Sequence, residues 1–339
     1  MNKYHKPLFY LVCFYGATLL AIASLPYWPA QAWVYANLIS FSPLWLYALP
    51  LLMLAPLCLI TRQPILIAVL IGAFMLCIKL SGWVFNVGAA PVVNSGLEEP
   101  TPTADINDPL VVITANMGGN GKIEALNKLI VDNNADLIAL QEISAVRLTP
   151  MLNLSPLNSV CIEGLCLLSH LELKLVDSKP RVLLGHSGRF VMQVKVGLPA
   201  GAFDFYVLHL NTPREGFEAL IANPLKGWRK MADIVDAQMT ESWVASSWAA
   251  QGQNAIVAGD FNLPMLNPIY EKYWHWLTDS FQEAGSGLGY TKHTRLHGIQ
   301  IDHILHSQGW SAAKTWIGPS LGGDHLPVIT ILSPSMSDG

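Results

Sequence analysis

A series of apolar runs in this chain ends in residues that can bind a cation, hold a phosphate oxygen or move a proton. VVITAN closes on Asn116, LIALQE on Glu142, FYVLHLN on His209 and Asn211, and IVAGDFN on Asp260 and Asn262. Towards the C-terminus, IQIDHIL and GGDHLPV supply Asp302, Asp324 and His325. The runs read as short buried strands. Alternate residues of a strand share a face, so Asp260 and Asn262 can point the same way. One such ending is ordinary turn chemistry, because Gly, Asp, Asn and Pro all favour turns. Its repetition is not, since functional side chains gather where a rigid sheet passes into loops.

This set of groups suits phosphoester hydrolysis. That reaction needs charge neutralised on the phosphoryl oxygens, a positioned water and help for the leaving group. A hard cation on Glu142 would meet the first need, Asp260 can orient the water, and imidazoles move protons near neutral pH. Thiol chemistry is disfavoured because Cys161 lacks an adjacent histidine. Counting residues leaves a Ser-His-Asp triad open, but no Gly-x-Ser-x-Gly elbow precedes a helix.

The succession LQE, HLN, GDFN, IDHI and DHLPV, within residues 110–332, resembles the endonuclease/exonuclease/phosphatase family, the DNase-I-like fold. The resemblance implies an α/β fold, a four-layer α/β sandwich of two β-sheets flanked by helices. It implies that Glu142 binds the metal with Asn116 close to the same ion, and oxygen ligands of this kind suit Mg²⁺ or Mn²⁺. His325 corresponds to the catalytic histidine, and Asp302 to the partner that holds its imidazole. Asp260 and Asn262 correspond to the pair that handles the water and the phosphate oxygens. His209 corresponds to a second histidine facing the phosphate from the other side. Asn116, Asn211 and Asn262 are the implied substrate-binding amides, and Asp324 is expected near the metal or its water shell. Family members often carry Ser before the final Asp-His; here the residue is Gly323, which removes one hydroxyl contact.

Other candidates carry less. His303 adjoins Asp302, should face the opposite side of its strand, and is expected to be structural. His170, His293, His297 and His306 follow no pattern. Arg189 and Arg214 could contact a phosphate, and Tyr290 in GYTKH could line the pocket or pack in the core.

Strands are expected over 110–116, 136–142, 164–169, 188–196, 203–211, 255–262, 299–307 and 322–332, and helices over 122–133 and 225–248. The charge distribution divides the chain. Residues 1–97 hold no Asp or Glu and only Lys3, Lys6, Arg62 and Lys79 as formal cations. The remaining 16 Lys and Arg and all 24 acids lie in 98–339, giving 16 − 24 = −8 there. Apolar stretches at 7–28, 41–60 and 64–85 each approach the ~20 residues that cross a bilayer. The expected organisation is a membrane anchor of about three transmembrane helices over 1–86, a linker over 87–108 and a catalytic domain over 109–333.

Lys3, Lys6 and Arg62 place the N-terminus and the turn at Arg62 in the cytoplasm. Three spans then put the catalytic domain on the periplasmic or extracellular side of an inner membrane; two, with 41–60 buried or re-entrant, would return it to the cytoplasm. A cleaved signal peptide is disfavoured because further apolar spans follow. Cys161 and Cys166 flank Glu163-Gly164 and could pair across a hairpin in an oxidising compartment, or stay free.

The substrate is only biased by composition. A charge of −8 with no basic run beyond WRK at 228–230 argues against nucleic acid. A bilayer tether raises the local concentration of lipid substrates. The stretches WHWL (274–277) and GLGY (287–290) could dip into headgroups or sit in the core. The expectation is therefore a membrane-bound, metal-dependent phosphodiesterase or phosphatase on a lipid-linked or envelope phosphoester, with no obligate protein partner. A tethered nuclease acting on DNA or RNA is the alternative, and an inactive tethered binding module the alternative of another class. Almost uncharged spans argue against a transporter.

Overall fold

The computed structural model describes residues 6–86, 109–118, 120–155, 157–181, 187–199, 201–294 and 297–335. The expected linker at 87–108 lies outside the described residues. The apolar N-terminal part forms α1 (Lys6–Ala23), α2 (Trp33–Ser40), α3 (Leu49–Ile60) and α4 (Pro64–Leu80), with 3-10 turns around α2.

The rest alternates between strands and helices. It runs β1 (Leu110–Asn116), α5 (Ile123–Asp132), β2 (Leu137–Gln141), α6 (Ala145–Leu152), β3 (Asn158–Ile162) and β4 (Leu165–Ser169). Next come β5 (Glu172–Pro180), β6 (Arg189–Leu198), β7 (Gly201–His209), α7 (Arg214–Ala222), α8 (Pro224–Ala249) and β8 (Ile256–Asp260). It closes with α9 (Pro268–Trp274), β9 (Thr278–Asp279), α10 (Ser280–Ala284), β10 (Lys292–His293), β11 (Gly298–Ile299), β12 (Asp302–His306), β13 (Trp310–Ile317) and β14 (Val328–Pro334). The strand expected over 322–332 begins only at Val328, so Asp324 and His325 stand in the loop that enters β14.

Two six-stranded sheets carry the architecture, in the orders β13-β14-β1-β2-β4-β3 and β5-β6-β7-β8-β12-β9. Their inner faces meet in a core that includes Val112, Leu137, Ala139, Phe205, Val207 and Ala258. The outer face of the first sheet turns Ile113, Ile138 and Leu140 onto Leu126 and Leu129 of α5 and Leu148 of α6. The outer face of the second turns Tyr206, Leu208 and Val257 onto Met231 and Val235 of α8 and Trp274 of α9. Successive strand residues thus enter different cores, which is why these strands are apolar throughout instead of alternating. The result is the expected four-layer sandwich.

The N-terminal part is docked onto this sandwich. Trp33 of α2 is buried in the α8–α9 core, and Lys272 lies 5.2 Å from its ring centroid. Asn37 Nδ2 donates to Gln238 Oε1 at 3.1 Å, and both residues are buried. Beyond α4, Val84 bridges Gly287, and Asn86 Nδ2 donates to the carbonyls of Gln282, Glu283 and Gly285.

By length and composition, α1 can cross a bilayer. The other two expected spans come out differently. The segment 41–60 is a 3-10 turn running into α3, and this stretch from Leu44 to Ile60 is bent by 86° from α2. Pro43 and Pro50 mark the starts of a 3-10 turn and of α3, and Pro56 lies within α3. At a rise of 1.5 Å per residue α3 is about 18 Å long, well under the ~30 Å of a hydrocarbon core. With 17 residues, α4 stops just short of the length of α1.

The expected pair is joined: Cys161 and Cys166 are register partners across β3 and β4 and are disulfide-bonded. WHWL is mainly core, with Trp274 and Leu277 buried and Trp276 partly exposed. GLGY lies beside the end of α4: Gly287 bridges Val84, and Leu288 and Tyr290 line a cavity with Leu76 and Leu80.

Candidate active site

Strand register brings the candidate residues together. In the first sheet, β1 and β2 run parallel with Asn116 opposite Gln141, so Glu142 emerges beside Asn116. In the second, β8 lies between β7 and β12. His209 is the parallel register partner of Asp260, and Asp302 is its antiparallel partner. Gly259 makes this spacing possible, because a Cβ there would lie 1.8 Å from Leu208 O.

Asn116 joins the two sheets. Its Nδ2 donates to Glu142 at 2.9 Å and to Asp260 at 3.0 Å. Its Oδ1 accepts from the N–H of Gly118. As placed, then, Asn116 offers donors to the two carboxylates, and its oxygen is engaged by backbone. His209 Nε2 lies 3.6 Å from Glu142 and 3.8 Å from Asp260. Two strand-end residues adopt left-handed backbone, Glu142 at φ 55° and Asn262 at φ 48°. Asn tolerates that region, whereas a Glu rarely enters it, and such backbone clusters at working sites.

His325 sits against both sides of this group. Its Nδ1 is 2.8 Å from Asp302 Oδ2, and its Nε2 is 3.7 Å from Asp260. The backbone N–H of Asp302 is held by the hydroxyl of Thr291. Burial alone would lower the imidazole, but the charges of Asp302 and Asp260 prevail and raise it to about 9. Lys292 opposes them, with Nζ 2.7 Å from Nε2 and 2.8 Å from Asp324 Oδ2. A 2.7 Å contact with an ammonium requires a lone pair on Nε2. Imidazolium and ammonium cannot both stand at that separation.

Burial raises Asp260, helped by the charge of Asp302. Burial lowers His209, with Arg181 adding to the effect. Asp324 is different. Desolvation pulls it up, but the Lys292 hydrogen bond and charge bring it below its ordinary value. Its half-exposed carboxylate pairs with Lys292 and, at 3.3 Å, with Arg214. The carboxylate expected near the metal or its water shell thus lies 4.0 Å from His325 Nε2, with two cations balancing its charge.

Asn211 and Asn262 also have scaffold roles. Asn211, expected among the substrate amides, donates to Glu241 of α8 through its backbone N–H and Nδ2. The backbone N–H of Asn262 donates to Asp260 Oδ1, while its Nδ2 donates to Leu210 O. Arg189 pairs with Glu163 and not with the group around Asp260. His303 is fully buried between Asp279 and Leu263 O, as expected of a structural residue. His306 pairs with Glu283.

Lys292 was not singled out from the sequence, where one isolated lysine carries no signal. Arg181 and Glu241 were also missed. They form a buried ion pair at 3.0 Å beneath the β7 end, and Arg181 also donates to His209 O. A clue was available for Glu241, an acid on the face of α8 that also buries Ile234, Gln238 and Ala245.

The residues fit a hard cation. Ligand atoms of Asp260, Asp302 and His325 lie within 4.8 Å of one another. Glu142 reaches Asp260 through Asn116. His325 spends Nδ1 on Asp302, which leaves the Glu142–Asp260 side as the oxygen-rich place for Mg²⁺ or Mn²⁺. Positive charge there would relieve the repulsion between the buried carboxylates.

A sequence model described as the Endonuclease/Exonuclease/phosphatase family matches residues 113–325. No curated protein matches. Solved structures share the fold at low identity. An endonuclease/exonuclease/phosphatase from Beutenbergia cavernae is 15% identical, with 67% of this chain and 72% of that one covered and a TM-score of 0.53. One from Bacteroides vulgatus is 14% identical, with 67% and 99% covered and a TM-score of 0.51. The 3′ phosphatase NExo from Neisseria, bound to a product DNA hairpin, is 16% identical, with 65% and 98% covered and a TM-score of 0.50.

Proposed function

Because this chain belongs to the endonuclease/exonuclease/phosphatase family, we propose that it is a divalent-cation-dependent phosphoester hydrolase, held at a bilayer by its N-terminal helices and acting on a lipid-linked phosphoester. The observation that carries the hydrolase reading is the convergence of Glu142, His209, Asp260 and the Asp302–His325 pair at one junction of two sheets.

Glu142 and Asp260 would hold the cation, with Asn116 steadying both carboxylates. When bound, it would supply charge neutralisation at the phosphoryl oxygens. The chain's own residues do the rest. Asp260 orients the attacking water. His209, kept neutral by burial, donates a hydrogen bond to a phosphoryl oxygen. Asp302 fixes the His325 ring, so that Nε2 faces the reacting group and gives a proton to the leaving oxygen. A phosphate entering between His325 and Lys292 accepts from both and removes their conflict. Arg214 and Lys292 lie at the rim, where an anion arrives.

Several features support the bilayer reading. Large apolar side chains are exposed on α1, α3 and α4, among them Phe14, Leu20, Leu52, Ile60, Ile65 and Phe74. The C-terminal ends of α1 and α4 meet, since Ala23 and Leu80 line one cavity. Tyr47, just before α3, contacts Cys77, near the end of α4. In this reading the chain runs towards the sandwich along α1, away along α3 and back along α4, with Arg62 and the start of α1 at the far end. The Cys161–Cys166 bond favours an oxidising compartment for that sandwich. A charge of −8 over residues 98–339 disfavours DNA and RNA.

The test uses the full chain in lipid nanodiscs with Mg²⁺, with Mn²⁺ and with EDTA. Substrates are bis(p-nitrophenyl) phosphate, dioleoyl phosphatidic acid, dioleoyl phosphatidylglycerol and a DNA hairpin. Metal-dependent turnover of the lipids, abolished in Glu142→Ala and His325→Ala, is expected. Turnover unchanged in both variants would refute the mechanism, and preference for the hairpin would make the protein a tethered nuclease.

A further inference from the structure

Between the apolar helices and the sandwich lies a cavity of about 380 Å³, within the ~300–1,000 Å³ of ligand sites. One side is hydrocarbon-like: Pro26, Leu44, Leu76, Leu80, Leu266 and Leu288 line it. The groups at its margin are Tyr27, Lys79 and Trp83. Tyr and Trp concentrate at the headgroup level of bilayers, and lysine stems lie along apolar surface with the ammonium turned to the polar side. Tyr27 and Trp83 are exposed, at 77% and 47%. Lys79 stands at the end of α4 with no ion pair among the described residues. The cavity is thus at the depth where a lipid's chains begin.

Its opposite wall is polar and backs onto the His325 site. Gln300 lines it and is only 9% exposed, and its Nε2 is buried without a hydrogen-bond partner among the described residues. Leaving such a donor unpaired costs about 1–3 kcal/mol, so the position calls for an acceptor that the described residues do not provide. Two residues on stands Asp302, the partner of His325. Tyr290 lines the same wall, and two residues beyond it Lys292 touches His325. Thr291, between them, accepts from the N–H groups of Ile301 and Asp302 and ties the two segments together.

We infer that this cavity receives an acyl chain of a membrane phospholipid, with Gln300 donating to the ester oxygen at the chain's polar end. An occupant of that chemistry meets every wall. Its hydrocarbon lies among the leucines, its ester faces the orphan donor, and its headgroup stays at the level of Lys79, Tyr27 and Trp83. The phosphoester then lies beyond the wall from which Tyr290 and Gln300 lead, two residues on, to Lys292 and Asp302. This names the substrate class of the hydrolase proposed above and, in its catalytic half, rests on that proposal.

The test is photolabelling of the full chain in nanodiscs with phosphatidic acid that carries a diazirine in its acyl chain, in EDTA, with adducts mapped by mass spectrometry. Adducts at Met265, Leu266 and Leu288, which belong to the sandwich side of the cavity, are expected. Adducts confined to the outward faces of α1, α3 and α4 would overturn the inference. Gln300→Leu, nearly isosteric, should cut the cavity adducts fivefold or more, and Leu266→Trp should do so by filling the space. Cavity adducts undiminished in both variants would also overturn it. Labelling is read without turnover. A chain that labels in the cavity but hydrolyses no phosphoester sinks the hydrolase reading alone, and a chain that hydrolyses without cavity adducts sinks this one alone.

Discussion

Asp260 and Asp302 face each other as register partners on adjacent antiparallel strands, and both are buried. Two carboxylates so placed repel, and burial adds to the cost of ionising Asp260. A carboxyl raised in the folded state weakens the fold in full above its folded pKa, and the penalty shrinks as pH falls through that value and is gone below the unfolded one. Asp260→Asn should therefore raise Tm at pH 7 in EDTA while lowering kcat/KM by roughly 10²–10³-fold. Calorimetry and steady-state assays on the same preparation check both halves. A lower Tm would contradict the electrostatic account.

Lys292 works against the two carboxylates that raise His325. Replacing it by Met leaves the imidazole more basic. If His325 donates a proton, the alkaline limb of the kcat/KM profile should move to higher pH, with KM rising because a rim cation is lost. A pH profile of the variant beside wild type decides this; an unmoved limb separates Lys292 from the proton chemistry.

A second buried group bears on stability alone. Asp279 Oδ2 contacts His303 Nδ1 at 2.8 Å and accepts from the Tyr270 hydroxyl at 2.9 Å. Burial pulls Asp279 up, but the bonds from His303 and Tyr270 hold it below its ordinary value. Its stabilisation is complete above the unfolded carboxylate pKa of about 4 and drains away as pH falls through the folded value. Asp279→Ala should cost about 3–5 kcal/mol at pH 7, the usual result of orphaning a buried partner. The difference from wild type should shrink in acid, as urea titrations at pH 7 and pH 3 would show.

Gly259 is the position least able to change. A methyl there meets Leu208 O at 1.8 Å, so β7 and β8 would have to separate. Gly259→Ala should cost about 3 kcal/mol or more and uncouple His209 from Asp260, read as a fall in Tm together with loss of turnover.

The polar strand ends were legible because each follows an apolar run on its own. Their convergence depends on the order β7-β8-β12 and on register, which no local pattern encodes. The neighbour rule for strands did place His303 on the side away from Asp302's partner, where the structure buries it. Hydropathy marks 41–60 as one apolar stretch, because it counts apolar residues, while Pro43 and Pro50 mark where its 3-10 turn and α3 start. Lys292 and Arg181 were invisible for the opposite reason: their importance comes from partners distant in sequence, His325 for one and Glu241 and His209 for the other. Asp324 was assigned by its motif, and only the folded chain shows the two cations that claim it.

Trp33 belongs to the same core as Tyr206, Val257 and Trp274. The sandwich therefore borrows a piece of its interior from the part of the chain synthesised first. A soluble fragment begun at residue 109 would carry an open socket between α8 and α9, and would be prone to clump for reasons unrelated to its chemistry. During biogenesis the early segment must wait, already in place, for partners made some two hundred residues later.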